Sequence, residues 1–218
     1  HNFADMVVEA PLGARTKLYL PDGTLVWLNA GSKIVYSQGF GVDDRNLSLE
    51  GEGYFEVKRN EEVPFLVKTN SLLVKVLGTK FNFRDYPDDA EAIVSLSEGK
   101  VALNNLLKKE KEAFLLPNER VVLNKKNGRM HVEYSTVSNA LQWTNGYLFF
   151  DEELLPDVVK ELERSYNVKI QIASDTLNTF RFYGNFVHRE QNIQEVLEAL
   201  SATRKIHYII EGHNITLY

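Results

Sequence analysis

Cysteine is absent from the 218 residues. That absence excludes disulfides, thiolate nucleophiles and cysteine-ligated metals, and it leaves the redox compartment open. No apolar run approaches the roughly 20 residues that span a bilayer as a helix, and no signal-peptide pattern is visible. Histidine is scarce: His1, His131, His188, His207 and His213 are the five, and neither His-x-His nor His-Glu-x-x-His occurs among them. His207 and His213 flank a predicted hairpin turn without a third ligand, so the histidines read as surface or packed residues. Cupin chemistry, which needs clustered histidines and a glutamate, is excluded on the same ground.

Other chemistries are missing as well. Gly39-Phe40-Gly41 and Gly51-Glu52-Gly53 do not complete a dinucleotide-binding fingerprint or open a helix, so the anion cradle of a helix N-terminus is lacking. Gly78-Thr79-Lys80 lacks the upstream glycine of a P-loop and leads into a strand. Gly31-Ser32 comes nearest to a serine nucleophile elbow and lacks its second glycine. Glu50 and Glu52 would share one face of a regular strand, but the glycines around Glu52 fit a tight turn or bulge better than an acid/base pair. No convergent catalytic set and no cofactor site is found, and the chain reads as a non-enzyme.

What is present is an ordinary globular composition. Apolar residues at 44% and charged residues at 25% argue for a packed core over disorder. Lys plus Arg number 25 against 30 Asp plus Glu, a formal charge of −5. Without a dense basic stripe, nucleic acid is not expected as a partner. The length suits one large or two modest domains.

From Lys17 to about Val132 the pattern is repeatedly β. Lys17-Leu18-Tyr19-Leu20 alternates, Pro21-Asp22-Gly23 supplies turn chemistry, and Thr24 to Leu28 reads as the returning strand. Further strands are expected at 32–36, 46–49, 53–58, 65–68, 72–76, 80–84, 92–96, 99–103, 120–123 and 131–134. Lys108-Lys109-Glu110-Lys111-Glu112 reads as a solvated hairpin tip. Many short strands at this spacing predict a sandwich, barrel or solenoid-like domain. Trp27 and Trp143 are expected to pack in a core or between domains, while an exposed aromatic platform would make them candidates for binding carbohydrate.

The pattern changes after Tyr134. Ser135 to Trp143 reads as a connector, and Tyr147-Leu148-Phe149-Phe150 as a buried strand. Leu155, Val158, Val159, Leu162 and Tyr166 recur at helical spacing, with Asp151, Glu152 and Glu153 placed to meet the helix N-terminus. Strands follow at 168–172 and 180–186. A second helix opens at Asn192, with Glu195 three residues on as in a capping box, and a closing hairpin spans 206–210 and 214–217. The expected order is βαββαββ, with both helices on one face of a small sheet.

Three blocks carry a likeness to a known family. They are Leu20-Pro21-Asp22-Gly23-Thr24 running into Val26-Trp27-Leu28-Asn29-Ala30, Leu49-Glu50-Gly51-Glu52-Gly53-Tyr54-Phe55-Glu56-Val57, and Val76-Leu77-Gly78-Thr79-Lys80-Phe81-Asn82-Phe83. In this order they resemble the extracytoplasmic domain of the FecR family of anti-sigma regulators. Leu162-Glu163-Arg164-Ser165-Tyr166-Asn167-Val168 and Val196-Leu197-Glu198-Ala199-Leu200 resemble the small secretin/TonB short N-terminal-like domain that follows it in many such regulators.

The expected fold is therefore mainly β, an N-terminal β sandwich or solenoid-like domain plus a small C-terminal α+β domain. Its parts are a lead-in at 1–16 after a missing membrane helix, the FecR-like domain at 17–134, a connector at 135–145 and the α+β domain at 146–218. The chain opens on His1, and the resemblance implies an upstream membrane helix and a cytoplasmic sigma-binding domain beyond it. It also implies the periplasmic part of a single-pass inner-membrane protein, whose partner is the N-terminal signalling domain of an outer-membrane TonB-dependent receptor. Phe180, Phe182, Tyr183 and Phe186 are the candidate partner-binding residues, with burial expected for at least half of them.

Overall fold

The computed structural model describes residues 4–218. The chain divides into two compact units, one of residues 1–11 and 15–141 and the other of residues 12–14 and 142–218.

The first unit is built from strands β1 (Asp5–Glu9), β2 (Thr16–Tyr19), β3 (Leu25–Leu28), β4 (Lys33–Ser37), β5 (Arg45–Glu56), β6 (Phe65–Lys68), β7 (Leu72–Val76), β8 (Lys80–Asp85), β9 (Glu91–Glu98), β10 (Val101–Asn105), β11 (Ala113–Leu115), β12 (Glu119–Asn124) and β13 (Met130–Tyr134). A short helix α1 (Val137–Ala140) follows. All the strands join through β5. Its first half pairs with β4 and, in parallel, with β6, while its second half pairs with β3 and β8. One layer then runs β1-β4-β5-β6-β7-β10-β11 and the other β2-β3-β5-β8-β9-β12-β13.

The residue that lets β5 serve both layers is Gly51. Its φ is +104°, and a Cβ there would lie 2.3 Å from Ser32 Oγ, so only glycine fits the bend. The two strands expected at 46–49 and 53–58 are thus one strand of 12 residues with a bend in it. Alternation on either side sends Leu47, Leu49 and Phe55 into a single apolar cluster with Phe65, Val74, Phe81, Phe83, Leu96 and Leu103. Each such side chain contributes about 1.5–3 kcal/mol on burial, which makes this cluster the main source of the unit's stability.

Two strands were not expected, β1 and β11. Both are short edge strands with few buried side chains, so neither shows an apolar alternation to read. Lys108 to Glu112 lies in the exposed loop joining β10 to β11.

The second unit holds β14 (Tyr147–Leu154), α2 (Leu155–Tyr166), β15 (Lys169–Ile172), β16 (Arg181–Val187), α3 (Ile193–Ser201), β17 (Tyr208–Glu211) and β18 (Asn214–Leu217). The order is βαββαββ, but the strands form two sheets in place of one. β14 pairs antiparallel with β16, while β15 pairs parallel with β18, which pairs antiparallel with β17. Helix α2 packs on both sheets through Leu155, Val158, Val159 and Leu162.

Local signals account for both helices. Pro156 sits in the first turn of α2, where its missing N–H costs nothing, and Asn167 ends the helix in the left-handed conformation (φ +51°). Asp151 to Glu153 do not cap α2: they extend β14 across a bulge at which Glu152 has φ +52°, and Asp157 is the first-turn acid. The Asn192 side chain caps α3 by accepting from the Glu195 N–H at 2.9 Å.

Candidate interaction surface

The three distinctive blocks of the first unit go into structural locks. Asp22 Oδ2 lies 3.2 Å from Arg45 Nη1, and Asp22 also accepts from the Thr24 N–H and hydroxyl at 2.9 and 2.8 Å. Glu52 is buried and accepts from Asn29 Nδ2 and Asn82 Nδ2, each at 2.9 Å. Its own N–H donates to Ser32 Oγ at 2.9 Å, and the Tyr86 hydroxyl donates to Ala30 O at 2.8 Å. Glu50, beyond the bend, faces solvent 3.6 Å from Lys33. Glu50 and Glu52 are therefore not a catalytic pair: one is a surface charge and the other a satisfied buried acceptor. Gly78 belongs with these locks, because a Cβ there would meet Arg59 at 2.7–2.9 Å. Among the described residues no group of three potential ligands is placed to hold a metal.

Trp143 is buried, whereas Trp27 departs from the expected core position. Val26 and Leu28 fill the core, so the parity of β3 turns Trp27 to the opposite face, where Lys17 Nζ lies 5.1 Å above its ring.

In the second unit the β14–β16 ladder sorts aromatics by the same parity. Leu148, Phe150, Phe182 and Phe186 point into the core. Phe182 and Phe186 stack at 6.1 Å and 11°, with Phe150 at 6.0 and 6.3 Å from them. Gly184 lies between those two phenylalanines in sequence and opposite Phe150 in the ladder. A Cβ at this position would meet the two rings at 2.8 and 2.9 Å. Phe182 and Phe186, two of the expected partner-binding residues, are therefore core residues, because their inward register leaves them 6% and 5% exposed. Phe180 precedes β16 and packs partly against the same core, and its carbonyl accepts from the Leu155 N–H at 2.8 Å.

Tyr183 alone of the four stands out in solvent, at 67% exposed. The outward face of β14 adds two residues of the expected buried strand, Tyr147 and Phe149. Phe149 meets Tyr183 edge-on at 6.2 Å, and Tyr147 is an exposed large hydrophobic residue. The signal was available in period two, since Leu148 and Phe150 cannot both face inward without sending Tyr147 and Phe149 outward. Asn185 and Val187 complete the face. Among the described residues neither β14 nor β16 has a second strand neighbour, so the aromatic face belongs to a two-stranded sheet.

A large two-layer β unit and a small α+β unit define the class, a mainly-β two-unit protein. The model described as FecR protein matches residues 6–102, and the model described as FecR, C-terminal, matches residues 147–217. The chain is similar to two crystal structures of a candidate anti-sigma factor from Parabacteroides distasonis ATCC 8503. The 1.65 Å structure has 33% identity and a TM-score of 0.88 over 98% of each chain. The 2.50 Å structure has 33% identity and a TM-score of 0.89 over 99% of each. No curated protein matches. The chain belongs to the FecR family of anti-sigma factors.

Proposed function

We propose that this chain is the signal-receiving, periplasmic region of a membrane-anchored anti-sigma factor. Among the described residues no helix is long and apolar enough to cross a membrane. The membrane anchor and the sigma-binding segment would lie in parts of the protein beyond this chain. Residues 17–134 would form the FecR-like β domain and residues 146–218 the receiving domain. Its partner would be the N-terminal signalling domain of an outer-membrane TonB-dependent receptor, whose loaded state is relayed to a sigma factor of the extracytoplasmic-function class.

The observation that carries this reading is the outer face of the β14–β16 sheet. Tyr147, Phe149 and Tyr183 present aromatic area in a unit that matches the FecR C-terminal model. Aromatic anchors dominate the energy of protein interfaces. The carbohydrate-platform alternative draws no comparable support, because Trp143 is buried and Lys17 covers the ring of Trp27.

Calorimetric titration of this chain with the isolated signalling domain of the receptor encoded beside it tests the reading. One-to-one saturable binding is expected, and Tyr183→Ala should weaken it by about tenfold or more, as for an interface anchor, while leaving the melting temperature unchanged. Binding insensitive to Tyr147, Phe149 and Tyr183 would place the interface elsewhere. No binding between two folded proteins would overturn the receptor assignment.

A further inference from the structure

A polar cleft of the first unit lies on the outer face of β4, β5 and β6. Its volume is about 540 Å³, enough for a small organic molecule. Lys33, Ser48, Lys68, Thr69, Asp85 and Lys125 are among the residues that line it.

The walls are chemically uneven. Asp85 is 5% exposed, and its Oδ1 lies 2.5 Å from Lys125 Nζ. Lys125 Nζ also donates to Tyr86 O at 2.6 Å, which leaves one of its three protons uncommitted. Asp85 Oδ2 has no hydrogen-bond partner in the protein. A buried carboxylate oxygen left unpaired costs free energy, so a hydrogen-bond donor is wanted beside it. The cations outnumber the anions. Glu50 neutralises Lys33 and Asp85 neutralises Lys125, while Lys68, at the rim, has no ion pair among the described residues.

A ligand that fits must offer a donor to Asp85, acceptors to Lys125 and the hydroxyls, and one negative charge to Lys68. A lone inorganic anion fails the first requirement, a polyamine meets the lysines as like charges, and a neutral polyol leaves Lys68 unmatched. We propose that this cleft binds a small polyhydroxylated carboxylate of the uronic-acid class, with Asp85 accepting from a ligand hydroxyl and Lys68 pairing with the ligand carboxylate. The cleft would then be a second input to the regulator, independent of the receptor surface.

The test uses the whole chain, with D-glucuronate, D-glucose and sodium sulfate as probes, followed by amide chemical-shift mapping. D-glucuronate is expected to give saturable shifts centred on Ser48, Thr69, Ser71 and Asp85. D-glucose should bind about tenfold or more weakly, the loss of one charge-assisted contact, and Lys68→Gln should erase that difference. Asp85→Asn should weaken both sugars. Lys68 is exposed, so its variant stays informative even if Asp85→Asn disturbs folding. Absence of saturable shifts, sulfate matching D-glucuronate, or D-glucose binding equally well would each overturn the assignment. None of these results bears on the β14–β16 face.

Discussion

Asp22 and Arg45 form a buried ion pair at 3.2 Å whose side chains are 9% and 2% exposed. The pair is one corner of a fully satisfied guanidinium. Arg45 Nε donates to Val63 O, Nη1 to Asp22 and Lys58 O, and Nη2 to Asn60 O and Leu77 O, so all five donors are used. Its acceptors hold the 57–64 connection between β5 and the parallel strand β6, together with the segment after β7. The Pro21-Asp22-Gly23-Thr24 turn thereby contributes to the packing of a distant loop.

Arg45→Ala is expected to cost about 3–5 kcal/mol, because it leaves the buried Asp22 carboxylate without its countercharge and the Lys58, Asn60 and Val63 carbonyls without this donor. Arg45→Lys should recover only part of that loss, since an ammonium offers three donors from one point and cannot reproduce the planar fork. Urea unfolding of both variants checks the order. A Lys variant as stable as the parent would mean that solvent reaches this corner.

Gly184→Ala is expected to destabilise the second unit by about 1–3 kcal/mol through overpacking. The added methyl would press on the stacked rings of Phe182 and Phe186, both held in the core by Phe150. Thermal melts followed by near-ultraviolet circular dichroism report on these rings directly. An unchanged melt with an altered aromatic signal would show that the rings part cheaply, contrary to this packing argument.

Regular alternation is legible in the sequence, and departures from it are legible only in part. Strands 65–68 and 72–76 were readable to the residue, because Phe65, Val67, Leu72, Val74 and Val76 alternate cleanly and Thr69-Asn70-Ser71 turns between them. Gly51 was readable as a departure from regular strand, but not as the bend that carries β5 from one layer to the other. That distinction depends on Ser32, which is distant in sequence. At the interaction surface, composition located the aromatics and parity decided their fate. Phe182 and Tyr183 are neighbours of similar size, and only the register of β16 against β14 buries one and exposes the other. The split into two sheets had no local signature, since the parallel pairing of β15 with β18 joins segments more than 40 residues apart.

On the acid side, Glu133 should matter. Hydrogen bonding from Arg120 holds its carboxyl below the ordinary value of 4.5, outweighing the burial that would raise it. Arg120 Nε lies 2.5 Å from Glu133 Oε1 across the β12–β13 ladder. A carboxyl lowered in the fold adds stability that is fully present above its unfolded value and is lost as pH falls through the folded one. The melting temperature of the parent should therefore drop more steeply below about pH 4.5 than that of Glu133→Gln. The contribution is modest, because both side chains are partly solvated. Parallel curves for the two proteins would show that this pair adds nothing to the acid limb.

Tyr54 sets the opposite limb. Burial first, and then the Glu56 carboxylate, pushes its phenol far above the ordinary value of 10.0. The hydroxyl donates to Glu56 Oε1 at 3.2 Å, and the residue is 8% exposed. Ionising the phenol would place a phenolate beside a carboxylate with little water to screen them, so the fold keeps the proton. Its contribution is fully present below pH 10, the unfolded value, and is lost as pH rises from there toward the folded one. Ultraviolet titration of tyrosinate should leave the Tyr54 phenol untitrated until the chain unfolds. In Tyr54→Phe that late step should lose one phenol, and the stability lost between about pH 9 and pH 11, where free phenols ionise, should shrink. If all the tyrosines of the parent titrate together below the unfolding transition, water reaches Tyr54 and the burial argued for this part of β5 is wrong.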